Sequence, residues 1–261
     1  MDPFLQLWPS LGLLESLLWR SKQVNSAIIY HDPVPLRRQF GYGGIAHAAV
    51  RLSRIGRSPL IVTHSDDADA ELTQTFPAHD RVSVSHPILS LQENGERDSE
   101  EILVAGQFKP VRDLEILGAL GPALRKRGFR PRIVGRGWPA DIRGWDVHNL
   151  FVAEEDLSER LSIARVVVVP YKRYFQSNIA VRALEMGTVS VTPPTSFARD
   201  LFGTDSPAIV QRPDVVEDWL RAIDAVSSGK VEAETTFDSY IERCDISWRA
   251  FLNRLGTSRL A

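Results

Sequence analysis

Apolar and polar positions follow one another along this chain in blocks, short strand-like runs alternating with stretches of helical spacing. Residues 27–30 (AIIY) predict a strand, 45–55 a helix, 60–63 (LIVT) a strand, 67–76 a helix and 82–84 a short strand. A polar stretch, 92–101 (QENGERDSEE), interrupts the pattern and reads as a linker or exposed loop. The alternation then resumes. Residues 102–105 (ILVA) predict a strand, and 114–127 a helix that ends at Gly128, a suitable C′ residue. Strands are predicted at 132–134, 149–152, 165–169 and 188–191, with helices at 156–164, 179–186 and 214–227. The β-branched run 165–169 (RVVVV) suits a strand buried on both faces.

Repeated βα units of this size predict parallel sheets covered by helices, so the expected fold class is α/β with two Rossmann-like domains. The expected division is a first domain at 1–91, a linker at 92–101, a second domain at 102–228 and a helical tail at 229–261. Trp248, Phe251 and Leu255 are the tail's apolar points and predict packing against the body of the protein. At the other end, Leu7, Leu11, Leu14 and Leu18 recur at helical spacing. Asp2, Glu15, Arg20 and Lys22 make this stretch too polar for a secretion signal or a transmembrane span. A buried amphipathic helix is expected there. A helix lying on a membrane, as a peripheral contact at its inner face, is the alternative.

Composition narrows the chemistry. With 43% hydrophobic residues in 261, the chain has enough apolar matter for a sizeable core. A formal net charge of −2 argues against a nucleic-acid partner. The single cysteine, Cys244, rules out an intramolecular disulfide and fits a reducing cytoplasm. One cysteine and six histidines offer no thiolate cluster for structural zinc.

Ligands of parallel sheets bind at the carboxyl ends of strands, and four predicted strand ends carry unusual residues. Gly106-Gln107-Phe108-Lys109-Pro110-Val111-Arg112-Asp113 follows ILVA, with a glycine that admits close backbone approach and two cations suited to a diphosphate. Gly135-Arg136-Gly137 is a second close-approach turn. Pro170-Tyr171 leads through Gln176-Ser177-Asn178 into a helix whose free N–H groups favour an anion. Glu185, in Ala183-Leu184-Glu185-Met186-Gly187, is a carboxylate that could accept ribose hydroxyls. Each has a plainer role as a turn, a solvated charge, an N-cap or a surface carboxylate; the succession is more informative than any member.

That succession over residues 102–225 resembles the C-terminal domain of retaining GT-B glycosyltransferases of the glycosyl transferases group 1 superfamily. The matching segments are GQFKPVRD, IVGRG, LFVAEEDL, the A-x-V-x-x-x-P-Y run at 164–171, ALEMG and VSVT. The resemblance implies a nucleoside diphosphate sugar as donor, no cofactor, no metal, and a sugar or lipid-linked acceptor. Lys109 and Arg112 would hold the donor diphosphate, with Gly106, Gln107, Gly135 and Gly137 lining its approach. Backbone near Val152 would meet the nucleobase, Ser177 and Asn178 would contact phosphate or sugar, and Glu185 would bind ribose. One departure stands out. The family usually has a further glutamate upstream of Glu185, where this chain carries Ser177 preceded by Gln176.

The stretch before residue 92 matches less completely. AIIYHDPVPL is similar to an acceptor-domain strand ending in a histidine, here His31, which the resemblance places near the transferred sugar. A His-Asp pair capping a strand end is the plainer alternative. The resemblance further implies an incomplete N-terminal domain lacking the first β-α units and their glycine-rich loop, through a late start codon or a shortened family member. Asp66-Asp67 is adjacent and fits a metal clamp poorly. A non-catalytic nucleotide-sugar-binding or scaffold protein of the same fold is the competing expectation.

Overall fold

The computed structural model describes residues 4–18, 26–36, 39–52, 59–77, 79–92 and 100–257. The chain forms two units, residues 1–86 with 242–261, and residues 87–241.

The first unit contains β1 (Phe4–Gln6), a 3₁₀ turn (Gly12–Leu14), α1 (Glu15–Leu18), β2 (Ser26–Ile29), α2 (Gly44–Leu52), β3 (Leu60–Thr63), α3 (Asp66–Thr73) and β4 (Arg81–Ser83). Its strands pair in parallel, in the order β1-β2-β3-β4. Alternation along the strands sorts residues onto two faces. Ile28, Tyr30 and Ile61 pack with Ala46, Val50, Leu72 and Phe76, whereas Ala27, Ile29, Leu60, Val62 and Val84 pack with Phe251 and Leu255. Both of those residues belong to the stretch 229–261 and are buried.

The expected amphipathic helix over Leu7 to Leu18 does not form. Residues 4–6 pair as a strand, Leu7 and Trp8 are exposed, and α-helix begins only at Glu15. Pro9 offers no N–H, and Gly12 takes φ +58, outside right-handed helix. Tyr30 Oη donates to Gly12 O at 3.2 Å and Leu13 N to Gly41 O at 3.0 Å, fixing that bend. Tertiary bonds here outweigh the spacing of the leucines.

The second unit contains β5 (Glu101–Ala105), α4 (Leu114–Lys126), β6 (Arg130–Val134), β7 (Asp146–His148), α5 (Glu154–Ile163), β8 (Val166–Val168), α6 (Asn178–Glu185), β9 (Ser190–Val191), α7 (Ser196–Phe202) and α8 (Val216–Ser227). The final helix, α9 (Ala233–Thr257), starts in this unit, and its residues from Glu242 onward group with the first. The strands are parallel in the order β7-β6-β5-β8-β9. The centre of the unit is β5 and β8, whose Ile102, Leu103, Val104, Val166, Val167 and Val168 are fully buried.

Two expectations change in this unit. The strand placed at 149–152 lies at 146–148 instead. Asn149 leaves the ladder because its side chain accepts from Gly137 N at 2.7 Å and donates to Trp138 O at 2.8 Å. Of the stretch read as a linker, residues 93–99 fall outside the described residues, and Glu101 already belongs to β5.

Candidate functional site

In the second unit the winding reverses between β5 and β8, the switch point at whose carboxyl ends open parallel sheets bind their ligands. Three strand-end loops are joined there by backbone. Gly106 N donates to Val134 O at 2.9 Å and Phe108 N to Arg136 O at 3.0 Å, linking the loops after β5 and β6. Asp113 N donates to Pro170 O at 2.7 Å and Lys172 N to Val111 O at 2.9 Å, linking those after β5 and β8. The approach is close enough to demand glycine. A Cβ on Gly135, at φ +147, would stand 2.3 Å from Gly106 O. At Gly106, φ +92, it would meet Arg112 Nη2 at 3.4 Å and the Ile179 side chain at 3.5 Å, which brings the first turn of α6 beside this loop.

Arg112 sits beneath these loops, only 4% exposed. Its guanidinium carbon lies 4.3 Å from the Tyr171 ring centre and 5.0 Å from that of Trp138. Nη2 donates to Ala105 O at 2.8 Å, while Nε is buried with no acceptor. Burial pulls its pKa below the usual arginine range, opposed by the Tyr171 side chain, and no carboxylate contributes. Arginine keeps its proton under such conditions, so a charge without a counter-charge is held inside the fold.

Lys109 and Gln107 are half-buried on the same loop. Ser177 Oγ accepts from Ala180 N at 3.2 Å and caps α6, leaving Asn178 exposed at its first position. Gly137 is held through Asn149, and Val152 is half-buried on the loop after β7. Gly106, Lys109, Arg112, Gly135, Ser177 and Asn178 therefore gather at one edge of the sheet.

Glu185 does not join them. It closes α6, seven residues and about 10 Å along the helix axis from Asn178. It is 4% exposed, with Oε1 accepting from Leu89 N at 2.7 Å and Oε2 from Arg182 Nη1 at 3.0 Å. Those partners make it a structural carboxylate anchoring residues 89–92, where Gln92 N also donates to Glu185 O at 2.7 Å. The sequence motif has no way to register that α6 runs back from the carboxyl edge.

His31 belongs to the first unit, at the end of β2. Its Nε2 lies 3.0 Å from Leu7 O, and its ring stacks on Trp8 at 4.8 Å and approaches His64 at 5.0 Å. His64 in turn lies 5.0 Å from His86, so the ends of β2, β3 and β4 present a row of imidazoles. Gly41-Tyr42-Gly43-Gly44 leads from the loop after β2 into α2. Asp67 and Asp69 do form an Asp-x-Asp spacing, yet both lie in the first turn of α3, and Asp69 pairs with Arg81 at 3.2 Å. Among the described residues, no group of three His, Cys, Asp or Glu side chains could hold a metal ion.

Sequence reasoning passed over several residues of the carboxyl edge. Trp138 and Tyr171 face Arg112, and Arg136, Lys172 and Arg173 add exposed cations from the loops after β6 and β8. Lys172-Arg173 immediately after a strand-ending Pro-Tyr was the available signal. The carboxylate among them, Asp113, caps α4 through Ile116 N and lies 3.7 Å from Lys172.

Two parallel-sheet Rossmann-like units, the second carrying a cationic carboxyl edge at its switch point, define a GT-B type α/β fold. Solved chains sharing it include TarM, at TM-score 0.65 and 11% identity over 90% of this chain and 51% of that one. The sucrose-phosphate synthase of Thermosynechococcus elongatus matches at TM-score 0.64 and 16% identity, over 98% and 73%. The pneumococcal O-GlcNAc transferase GtfA, solved with UDP and GlcNAc, matches at TM-score 0.63 and 11% identity, over 95% and 54%. The chain thus spans about half the length of TarM and of GtfA. No family model and no curated protein matches the sequence.

Proposed function

We propose that the carboxyl edge of the second unit binds the diphosphate of a nucleoside diphosphate sugar, and that the chain is a glycosyltransferase moving a hexose to a sugar or lipid-linked acceptor. The observation that carries this is Arg112, a buried cation with an unused N–H and no carboxylate partner. Uncompensated buried charge is costly, and an anion seated in the crevice supplies the missing partner. Lys109, the exposed cations Arg136, Lys172 and Arg173, and the free N–H groups of α6 at Asn178 add positive potential at the same edge. Solved neighbours favour a uridine nucleotide: GtfA was solved with UDP, and a trehalose-6-phosphate protein from E. coli with UDP-2-fluoro glucose.

In this proposal the bond from the sugar's anomeric carbon to the diphosphate breaks, and a bond from the acceptor oxygen forms on the same face, retaining configuration. The acceptor's proton passes to the leaving phosphate oxygen. Arg112 and Lys109 stabilise the charge that develops on the diphosphate, the part of the reaction that fixed cations in a desolvated site assist most. Val152 lies on the loop proposed to meet the nucleobase.

A second function, donor binding without transfer, is favoured by Ser177, an N-cap of α6 standing where the resemblance expects a further glutamate. Release of UDP from UDP-glucose, with and without sugar acceptors, separates the two. Turnover that falls at least about tenfold in Lys109→Ala supports transfer. Binding with no release of UDP under any acceptor leaves only the binding function.

A further inference from the structure

We infer that Trp138 and Tyr171 are positioning residues that clamp Arg112 between two aromatic faces, keeping it charged and unneutralised beneath the crevice. This role rests on the donor-site proposal above.

A buried arginine ordinarily takes a carboxylate partner, and that partner would cancel the positive potential the crevice needs. The ring faces at 4.3 and 5.0 Å stabilise the guanidinium through their quadrupoles, and the Tyr171 side chain adds a hydrogen bond, with no carboxylate involved. Each ring is itself fixed. Trp138 Nε1 donates to Gly106 O at 2.8 Å, and its ring meets Phe108 edge-on at 5.3 Å. Tyr171 is held by an antiparallel bridge between its backbone and that of Arg112, and its ring lies 5.8 Å from Tyr174. The clamp joins the loop after β6, through Trp138, to the loop after β8, through Tyr171, with the loop after β5 between them. Nη2 is spent on Ala105 O and the Tyr171 side chain makes a further hydrogen bond to the guanidinium, so Nε is the donor left without an acceptor.

The test titrates UDP into the full chain by calorimetry. Tyr171→Leu and Trp138→Leu, each shown folded by circular dichroism, are expected to lose about tenfold or more in affinity. Trp138→Phe, which keeps a ring face, should stay within about threefold, while Tyr171→Phe, which keeps the face and loses the hydroxyl's bond, should lose less than Tyr171→Leu. A simple packing role would not distinguish backgrounds, whereas the clamp does. In an Arg112→Met chain, where no cation remains to position, Tyr171→Leu should change UDP affinity by less than about twofold. Equal losses in both backgrounds overturn the clamp, as does unchanged affinity in the leucine variants. Should the leucine variants not fold, a tenfold loss in Trp138→Phe overturns it, and retention supports it. Absence of UDP binding in the unmodified chain instead removes the donor-site proposal itself.

Discussion

Single residues carry most of the chemistry here, and burial decides what each can do. Lys109 and Arg112 look alike as cations on one loop, yet the structure makes one half-buried and the other a clamped interior charge. A linear string shows that both residues follow a strand but not which one turns inward. His64 shows the same downward pull with a different outcome, since an imidazole gives up its proton where an arginine keeps it. Burial, followed by the charges of His86 and His31, lowers its pKa to about 3 from the ordinary 6.5, against a weaker opposing bond to Val84 O. That carbonyl can only accept, so Nδ1 carries the hydrogen and Nε2 keeps a lone pair. The unfolded chain therefore binds a proton that the folded one refuses between those values. Stability from His64 is complete above pH 6.5 and is lost as the pH falls toward 3. Urea midpoints measured from pH 7.5 to 4 should decline, and His64→Gln should decline less; parallel curves would refute this. Glycine is decisive at one further position. Gly135→Ala should cost about 2 kcal/mol or more, since its Cβ would strike backbone at 2.3 Å. Gly128→Ala, with φ +84 but open space around it, should cost about 1 kcal/mol. Thermal melts that rank them the other way would contradict the close approach of the two loops.

Elements were legible wherever the apolar run was short, β-branched and buried. LIVT at 60–63 is β3 as expected, and ILVA and RVVVV fall on β5 and β8. They could be read because burial on both faces leaves little room for polar residues. The errors have a common cause. At Leu7–Leu18 and at 149–152, side-chain bonds to distant backbone, from Tyr30 and from Asn149, override local pattern. The candidate site was legible as a series of strand ends, Gly106, Gly135 and Ser177, but Glu185 was misplaced because a motif carries no helix direction. The cap at Ser177 allows stability and binding to be separated. Ser177→Ala should lower stability by about 1 kcal/mol through loss of the bond to Ala180 N. Ser177→Asp should keep the cap and the stability, while its charge repels a phosphate at the same helix end and weakens UDP binding. If the aspartate variant bound UDP as tightly as the unmodified chain, the α6 N-terminus would not be part of the diphosphate site.

At the scale of the whole molecule, two parallel sheets are built by different windings. The first adds its strands in one direction, β1 to β4, whereas the second reverses between β5 and β8 and so creates a switch point. Lys109, Arg112, Arg136, Lys172 and Arg173 lie on the loops at that point. Among the described residues, no helix is long and apolar enough to cross a membrane. The proposed division of labour makes the second unit the nucleotide site, and calorimetric titration of UDP into the unmodified chain and into Lys109→Ala/Arg112→Ala tests this most directly. Saturable binding at one site, weakened about a hundredfold or more in the folded double variant, is the predicted result, from the loss of two charge-assisted contacts. Equal affinity in the two proteins would contradict it.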